Sequence, residues 1–224
     1  MRSLRIAGLA LLTMAVLPFP VCGGAKVDTL VYQVRMKSSL GDWGTRKMTM
    51  KGSNFVFEAE SAGMKMKVIK NNDGVFLLHP FRKEAGKYPK GVNRESPMAY
   101  LPGPVGDVKA FLAKNKAKAV GKEKIDKKLC DVYTYTEKES GWKCKLWVSS
   151  KDMTPVKLEM TGTKKGDVRT VTYISYKRGV PVPDSIFQLP KDIKIRPMSA
   201  KNTATNSERP DSSGSSAPTQ PDGH

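Results

Sequence analysis

The feature that most constrains this chain is strict alternation of apolar and polar residues, repeated in short stretches separated by turn residues. In Val27 to Lys37, Val31, Gln33 and Arg35 alternate with Tyr32, Val34 and Met36. A period of two places successive side chains on opposite faces of a strand, so the pattern specifies a sheet with one face buried. Met48 and Met50 then alternate with Lys47, Thr49 and Lys51. Phe55, Phe57 and Ala59 alternate with Val56, Glu58 and Glu60, and Met64, Met66 and Val68 with Lys65 and Lys67. Gly52-Ser53-Asn54, Ser61-Ala62-Gly63 and Asn71-Asn72-Asp73-Gly74 lie between these stretches, and residues that tolerate positive φ reverse the chain there. With Val75 to His79 they predict a five-stranded antiparallel meander.

Four prolines between Pro89 and Pro104 make an irregular crossover. It leads into a helix expected over Val105 to Ala119, where Asp107 offers an N-cap and Val108, Phe111, Leu112 and Asn115 share a face. Strands resume at Val120 to Ile125, Leu129 to Thr136, Trp142 to Ser149, Pro155 to Thr161 and Asp167 to Lys177. The fold class is therefore mainly β (α+β): a curved antiparallel sheet or incomplete β-barrel packed on one or two helices.

Residues 26–197 form the expected folded domain. Ahead of it, Arg2 and Arg5 precede an apolar run from Ile6 to Val21 that ends in small residues, the pattern of a cleaved signal peptide over residues 1–25. Pro18 and Pro20 cut the run short of the roughly 20 residues a retained anchor needs. A second reading makes Cys22 the acylated first residue of a lipid-anchored envelope protein. After the domain, residues 198–224 are rich in Ser, Thr, Asn and Pro and lack Leu, Ile, Val and aromatic residues, which predicts a disordered tail.

Charge bears on partners. The chain carries 39 Lys and Arg against 21 Asp and Glu, a balance that ordinarily invites nucleic acid. Export changes the polyanions within reach, so nucleic acid is not expected, and Lys37, Lys47, Lys51, Lys65, Lys67 and Lys70 read either as a solvated face or as a surface that steers the protein to anionic membrane headgroups. Of three cysteines, processing removes Cys22 as a free thiol. Cys130 and Cys144 fall on successive predicted strands of an exported chain, where a disulfide is expected.

Catalytic signatures are sparse. Of two histidines, His224 lies in the tail and His79 sits between Leu78 and Pro80 with no partner pattern, so it reads as structural. No phosphate loop, nucleophile elbow or metal-ligand spacing occurs, and no metal, cofactor or enzymatic activity is expected. Methionine is the distinctive residue. Met36, Met48, Met50, Met64 and Met66 cluster on three neighbouring predicted strands. Their thioethers suit either an ordinary core or a cavity that accepts apolar ligands of varied shape.

The run from Met48 to Glu60, then Val68-Ile69 to Asp73-Gly74-Val75-Phe76, resembles the lipoprotein-carrier (LolA-like) superfamily. So do Cys130-Asp-Val-Tyr-Thr-Tyr135, Leu146-Trp-Val-Ser-Ser-Lys-Asp-Met-Thr-Pro-Val-Lys-Leu-Glu159, Thr172-Tyr-Ile174 and the closing Asp184-Ser-Ile-Phe-Gln-Leu-Pro190. The resemblance covers about residues 27–196 and implies an incomplete barrel capped by helices around an apolar cavity. It implies an exported binding protein that holds an acyl chain or acylated protein, as in outer-membrane lipoprotein sorting, and it places Arg35 near a cavity arginine of the carriers. The alternative is a periplasmic sensor or accessory module that binds another envelope protein.

Overall fold

The computed structural model describes residues 28–199 apart from positions 62, 80, 92 and 93. The expected signal peptide, Cys22 and most of the expected tail lie outside the described residues. Twelve strands form one sheet in the order β12-β6-β5-β4-β3-β2-β1-β11-β10-β9-β8-β7. Strands β1 (Thr29–Ser38), β2 (Gly41–Lys51), β3 (Asn54–Ser61), β4 (Met64–Asn71), β5 (Gly74–Leu78) and β6 (Glu84–Lys87) make one meander. Strands β7 (Lys118–Ile125), β8 (Lys128–Thr136), β9 (Lys143–Ser149), β10 (Pro155–Thr161) and β11 (Val168–Arg178) make the second. The two join where β1 pairs antiparallel with β11, so the first described strand is central.

This strand order dictates the cover on each face. β6 and β7 stand near opposite edges, so residues 88–117 must traverse the sheet, and they do so over what we term the inner face. Tyr100, Leu101, Val108 and Leu112 of this crossover pack there on Tyr32, Val34, Phe55, Phe57, Leu158 and Tyr173. The return path from β11 runs over the outer face. Val182 and Phe187 bury Val56 and Ile69, and the strap ends in β12 (Lys194–Pro197), which lies parallel to β6.

Local chemistry departs from expectation in three places. The helix α1 spans only Val108–Lys114, because Lys116 at φ +52° ends it. Ala117 N–H donates to Leu112 O and Lys116 N–H to Ala113 O, the paired bonds of a Schellman cap with lysine where glycine is usual. The short strands β6 and β12 carry too few residues to show a period, and β12 breaks the all-antiparallel expectation.

The expected Cys130 to Cys144 bridge is not formed, and both thiols are free and buried. The register explains why. In the β8–β9 hairpin Cys130 lies opposite Ser149, whereas Cys144 lies opposite Tyr135. Five residues of strand, about 17 Å, separate the two rungs, and an odd separation turns the side chains to opposite faces. Cys144 joins the inner core, and Cys130 a small outer cluster with Val132, Trp147 and Val156.

Candidate functional site

Between the inner face and the crossover lies a cavity of about 830 Å³, within the range of small-molecule sites. One rung of directly paired residues forms its floor: Tyr135 on β8 faces Cys144 on β9, Cys144 faces Met160 on β10, and Met160 faces Arg169 on β11. Met36 and Arg46 continue the floor onto β1 and β2, while Met98, Ala99 and Phe111 line it from the cover. The Phe111 and Tyr135 rings meet edge to face at 5.5 Å.

A bulge supplies the remaining aromatic wall. Met36 pairs with Gly44 and Lys37 with Asp42, so Trp43 is the extra residue on β2. A bulge breaks the alternation and re-aims the side chain it inserts, and the Trp43 ring joins the inner side against Arg46 and Arg169. Gly44 is required at this bulge: its φ is +77°, and a Cβ there would stand 2.0 Å from Glu60 O.

Two guanidinium groups enter this lining. The Arg46 carbon lies 5.7 Å from the Trp43 centroid, and that of Arg169 lies 5.3 Å from Trp43 and 4.1 Å from Trp142. Arg46 Nη1 approaches the Met36 sulfur at 3.3 Å, and its buried Nε has no hydrogen-bond partner. Burial lowers the Arg46 pKa. Burial likewise raises that of Tyr135 and pushes the Cys144 thiol up to about 11, so both stay neutral at ordinary pH.

Of the residues proposed from sequence to line a ligand cavity, Met36 alone lines this one. Met48 is a fully buried core residue and Met50 packs at the core margin. Met64 is 71% exposed, and Met66 borders a second hollow of about 630 Å³ between the sheet and the strap. That hollow also receives His79 and carries mixed charges, with Glu58 bridged to Lys67 and Asp192 to Lys83. Arg35 belongs elsewhere: its odd position on β1 directs it to the outer side, where it is 56% exposed and bridges Asp42. The lysines singled out for their exterior phase are partly committed, Lys51 to Asp184 and Lys67 to Glu58.

The alternation pattern did not single out Arg46, Arg169, Trp43 or Trp142. A signal existed for the arginines. Arg46 shares the phase of Met48 and Met50, and Arg169 that of Val171 and Tyr173, so each puts a charge where alternation demands an apolar residue. Nothing local marks Trp43, because its placement depends on the bulge. Among the described residues no group of three metal-ligating side chains occurs, and no helix is long and apolar enough to cross a membrane.

No protein-family model and no curated protein sequence matches the chain. Solved structures do. An uncharacterised conserved protein from Thermus thermophilus superposes with a TM-score of 0.52 at 9% identity, over 78% of this chain and 92% of that one. A LolA superfamily protein from Nitrosomonas europaea gives 0.33 at 15% identity over 74% and 91%. MucB in the Pseudomonas aeruginosa MucA/MucB complex gives 0.43 at 11% identity over 75% and 58%, so the chain spans less than two thirds of MucB. At these identities the likeness is one of fold.

Proposed function

We propose that this chain is an exported, non-catalytic binding protein that holds the acyl chain of a lipid or acylated protein in the inner cavity, in the manner of lipoprotein sorting. The observation that carries the reading is the cavity itself. About 830 Å³ remains open beneath the crossover, within the range of small-molecule sites. Its walls suit such a ligand, because thioethers, aromatic rings and a neutral thiol accept a flexible apolar chain without demanding one shape.

Export through residues 1–25, with or without acylation at Cys22, belongs to the same reading, as does approach to an anionic membrane through exposed lysines. The mass of the mature protein in membrane and soluble fractions of its native host tests the cleavage site and the acylation together.

Binding is tested on the full chain, gently purified from its native host. Solvent extraction and mass spectrometry should recover an acyl lipid, and the stripped protein should bind an apolar fluorescent probe. Ala99, which lines the cavity from the cover, offers the control: Ala99→Trp fills the space and should cut probe affinity at least tenfold while changing the melting temperature little. A clean extract together with a stripped protein that ignores the probe would refute acyl binding. If that clean protein also retained one defined envelope protein, the accessory-module reading would replace it.

A further inference from the structure

We propose that the protein docks end-on against an anionic bilayer, with the hairpin tips Leu40, Met64 and Phe81 seated at the lipid interface and the cationic side chains beside them on the headgroups. The inference deepens the membrane approach given above, which rested on lysines alone: it names the surface and adds an apolar contact.

The pairing fixes which turns share an end. Strands β1 to β6 alternate in direction, so the β1–β2, β3–β4 and β5–β6 turns stand side by side at one end of the first meander. Neighbouring tips are two strands apart, about 10 Å. Each presents one large apolar side chain. Leu40 is 69% exposed, Met64 71% and Phe81 88%, and no other large apolar residue among the described ones is as exposed. Single exposed apolar residues need no explanation, but three adjacent turns that carry the three highest exposures do. The turns at the other end of this meander, Gly52-Ser53 and Asn72-Asp73, carry none. Local hydrogen bonds set the tips in place: Leu40 N–H donates to Ser38 Oγ, and Arg82 N–H to His79 O.

Charge identifies the occupant. Within three residues of the tips stand five cationic side chains, Lys37, Lys65, Lys67, Arg82 and Lys83, against two carboxylates, Asp42 and Glu84. Both carboxylates are already paired, with Arg35 and Arg196. Lys65, opposite Glu60 in the register, and Arg82 close no ion pair among the described residues. A second copy of this end would set like charge against like. A protein partner needs one contiguous face, whereas these tips are separate points, and a fluid lipid interface closes around each of them. Apolar side chains settle there at the headgroup boundary while Lys and Arg reach the phosphates. The inner cavity lies toward the same end of the sheet. Tyr135 and Cys144 flank the β8–β9 turn, Met160 and Arg169 the β10–β11 turn, and Trp43 follows Leu40 by three residues. Docking therefore brings the cavity lining toward the bilayer in which an acyl ligand resides.

Co-sedimentation of the full chain with vesicles decides this, using phosphatidylcholine alone and an equal mixture of phosphatidylcholine and phosphatidylglycerol. The mixed vesicles should be bound about tenfold more tightly than the neutral ones, and moderate salt should narrow the difference. Met64→Ser and Phe81→Ser, at positions exposed in the fold, should each lower that affinity about fivefold with the melting temperature unchanged. Lys65→Gln and Arg82→Gln should each cost about fivefold on mixed vesicles and little on neutral ones. In a Phe81→Trp variant the introduced indole should move to shorter emission wavelength on mixed vesicles and be quenched by brominated acyl chains, a response that an acyl anchor elsewhere in the chain does not produce. Ser variants that bind like the unaltered chain, while Arg82→Gln is weakened, overturn the seating of the tips and leave approach through cationic side chains standing. Equal binding to both vesicles overturns the anionic partner, and binding to neither overturns docking altogether. None of these results touches the acyl cavity, because the apolar probe reads it separately and the tip variants should bind that probe unchanged. The comparison of vesicles on the unaltered chain needs no substitution, so the proposal stays falsifiable even if a variant fails to fold.

Discussion

Arg46 and Arg169 show how one residue can break the pattern around it. Each occupies a strand phase that its neighbours devote to the core, and each is brought against a tryptophan on the inner side. Cysteine gives the opposite lesson. Cys130 and Cys144 are close in sequence and on paired strands, yet rung and face keep them apart. The expected outcome of non-reducing peptide mapping is two unbridged thiols. Burial raises the pKa of both, that of Cys144 to about 11, and the thiolate is the reactive form. Alkylation at pH 8 should therefore be slow in the folded protein and become rapid on adding denaturant. A bridged peptide from the folded protein would overturn the register described for β8 and β9.

At the scale of elements, β1 to β5 and the five strands of the second meander were legible because alternation and turn chemistry are local properties, whereas the four-residue β6 was not. The end of α1 was not. Asn115 shares the apolar face of the expected helix, but it caps the chain, and Lys116 takes the left-handed conformation that a Gly would have announced. The strap over residues 179–193 has no period to read, since it is held by single anchors. Thr29 Oγ1 donates to Val180 O, Lys51 Nζ to Val182 O, and Asn71 Nδ2 to Phe187 O. Phe187 is its principal apolar anchor, 3% exposed against Val56 and Ile69. Phe187→Ala should cost about 3–5 kcal/mol, the range for emptying a buried aromatic site, measured by urea unfolding. If the strap detaches locally, the loss appears instead as faster amide exchange in β3 and β4 with the inner core still protected. A variant unchanged by both measurements would show that the strap does not stabilise the outer face.

For the whole molecule, the pairing of β1 with β11 and the two covering connections are long-range choices that no local pattern announces. The cavity is a product of those choices: its floor is built mainly from β8 to β11, and of the methionines clustered on β1, β2 and β4 only Met36 reaches it. Long-range ion pairs report the same tertiary arrangement. Asp107 caps α1 by accepting from Ala110 N–H and reaches across to Arg178 on β11. The backbone bond and then the Arg178 contact lower its pKa. The Glu123 carboxylate is lowered by Lys145 and then by the Trp147 indole N–H. The carboxylates of Asp42, Asp152 and Asp192 are lowered as well, by hydrogen bonds from Arg35, Ser149 and Lys83 respectively. A carboxylate whose folded pKa lies below its unfolded value stabilises the fold fully above the unfolded value, about 4, and loses that contribution as pH falls through the folded one. Melting temperature should accordingly hold level from pH 7 down to about 5, then fall steeply below about 4 as these groups protonate while the chain's excess of Lys and Arg goes unanswered. Moderate salt should recover part of the loss by screening that repulsion. Asp107→Asn keeps a capping oxygen and removes the charge, so its deficit relative to the unaltered chain should be constant near neutrality and vanish in acid. A deficit that persists at pH 2 would assign the effect to the cap alone, and a melting temperature unchanged down to pH 2 would overturn the electrostatic account of all five carboxylates.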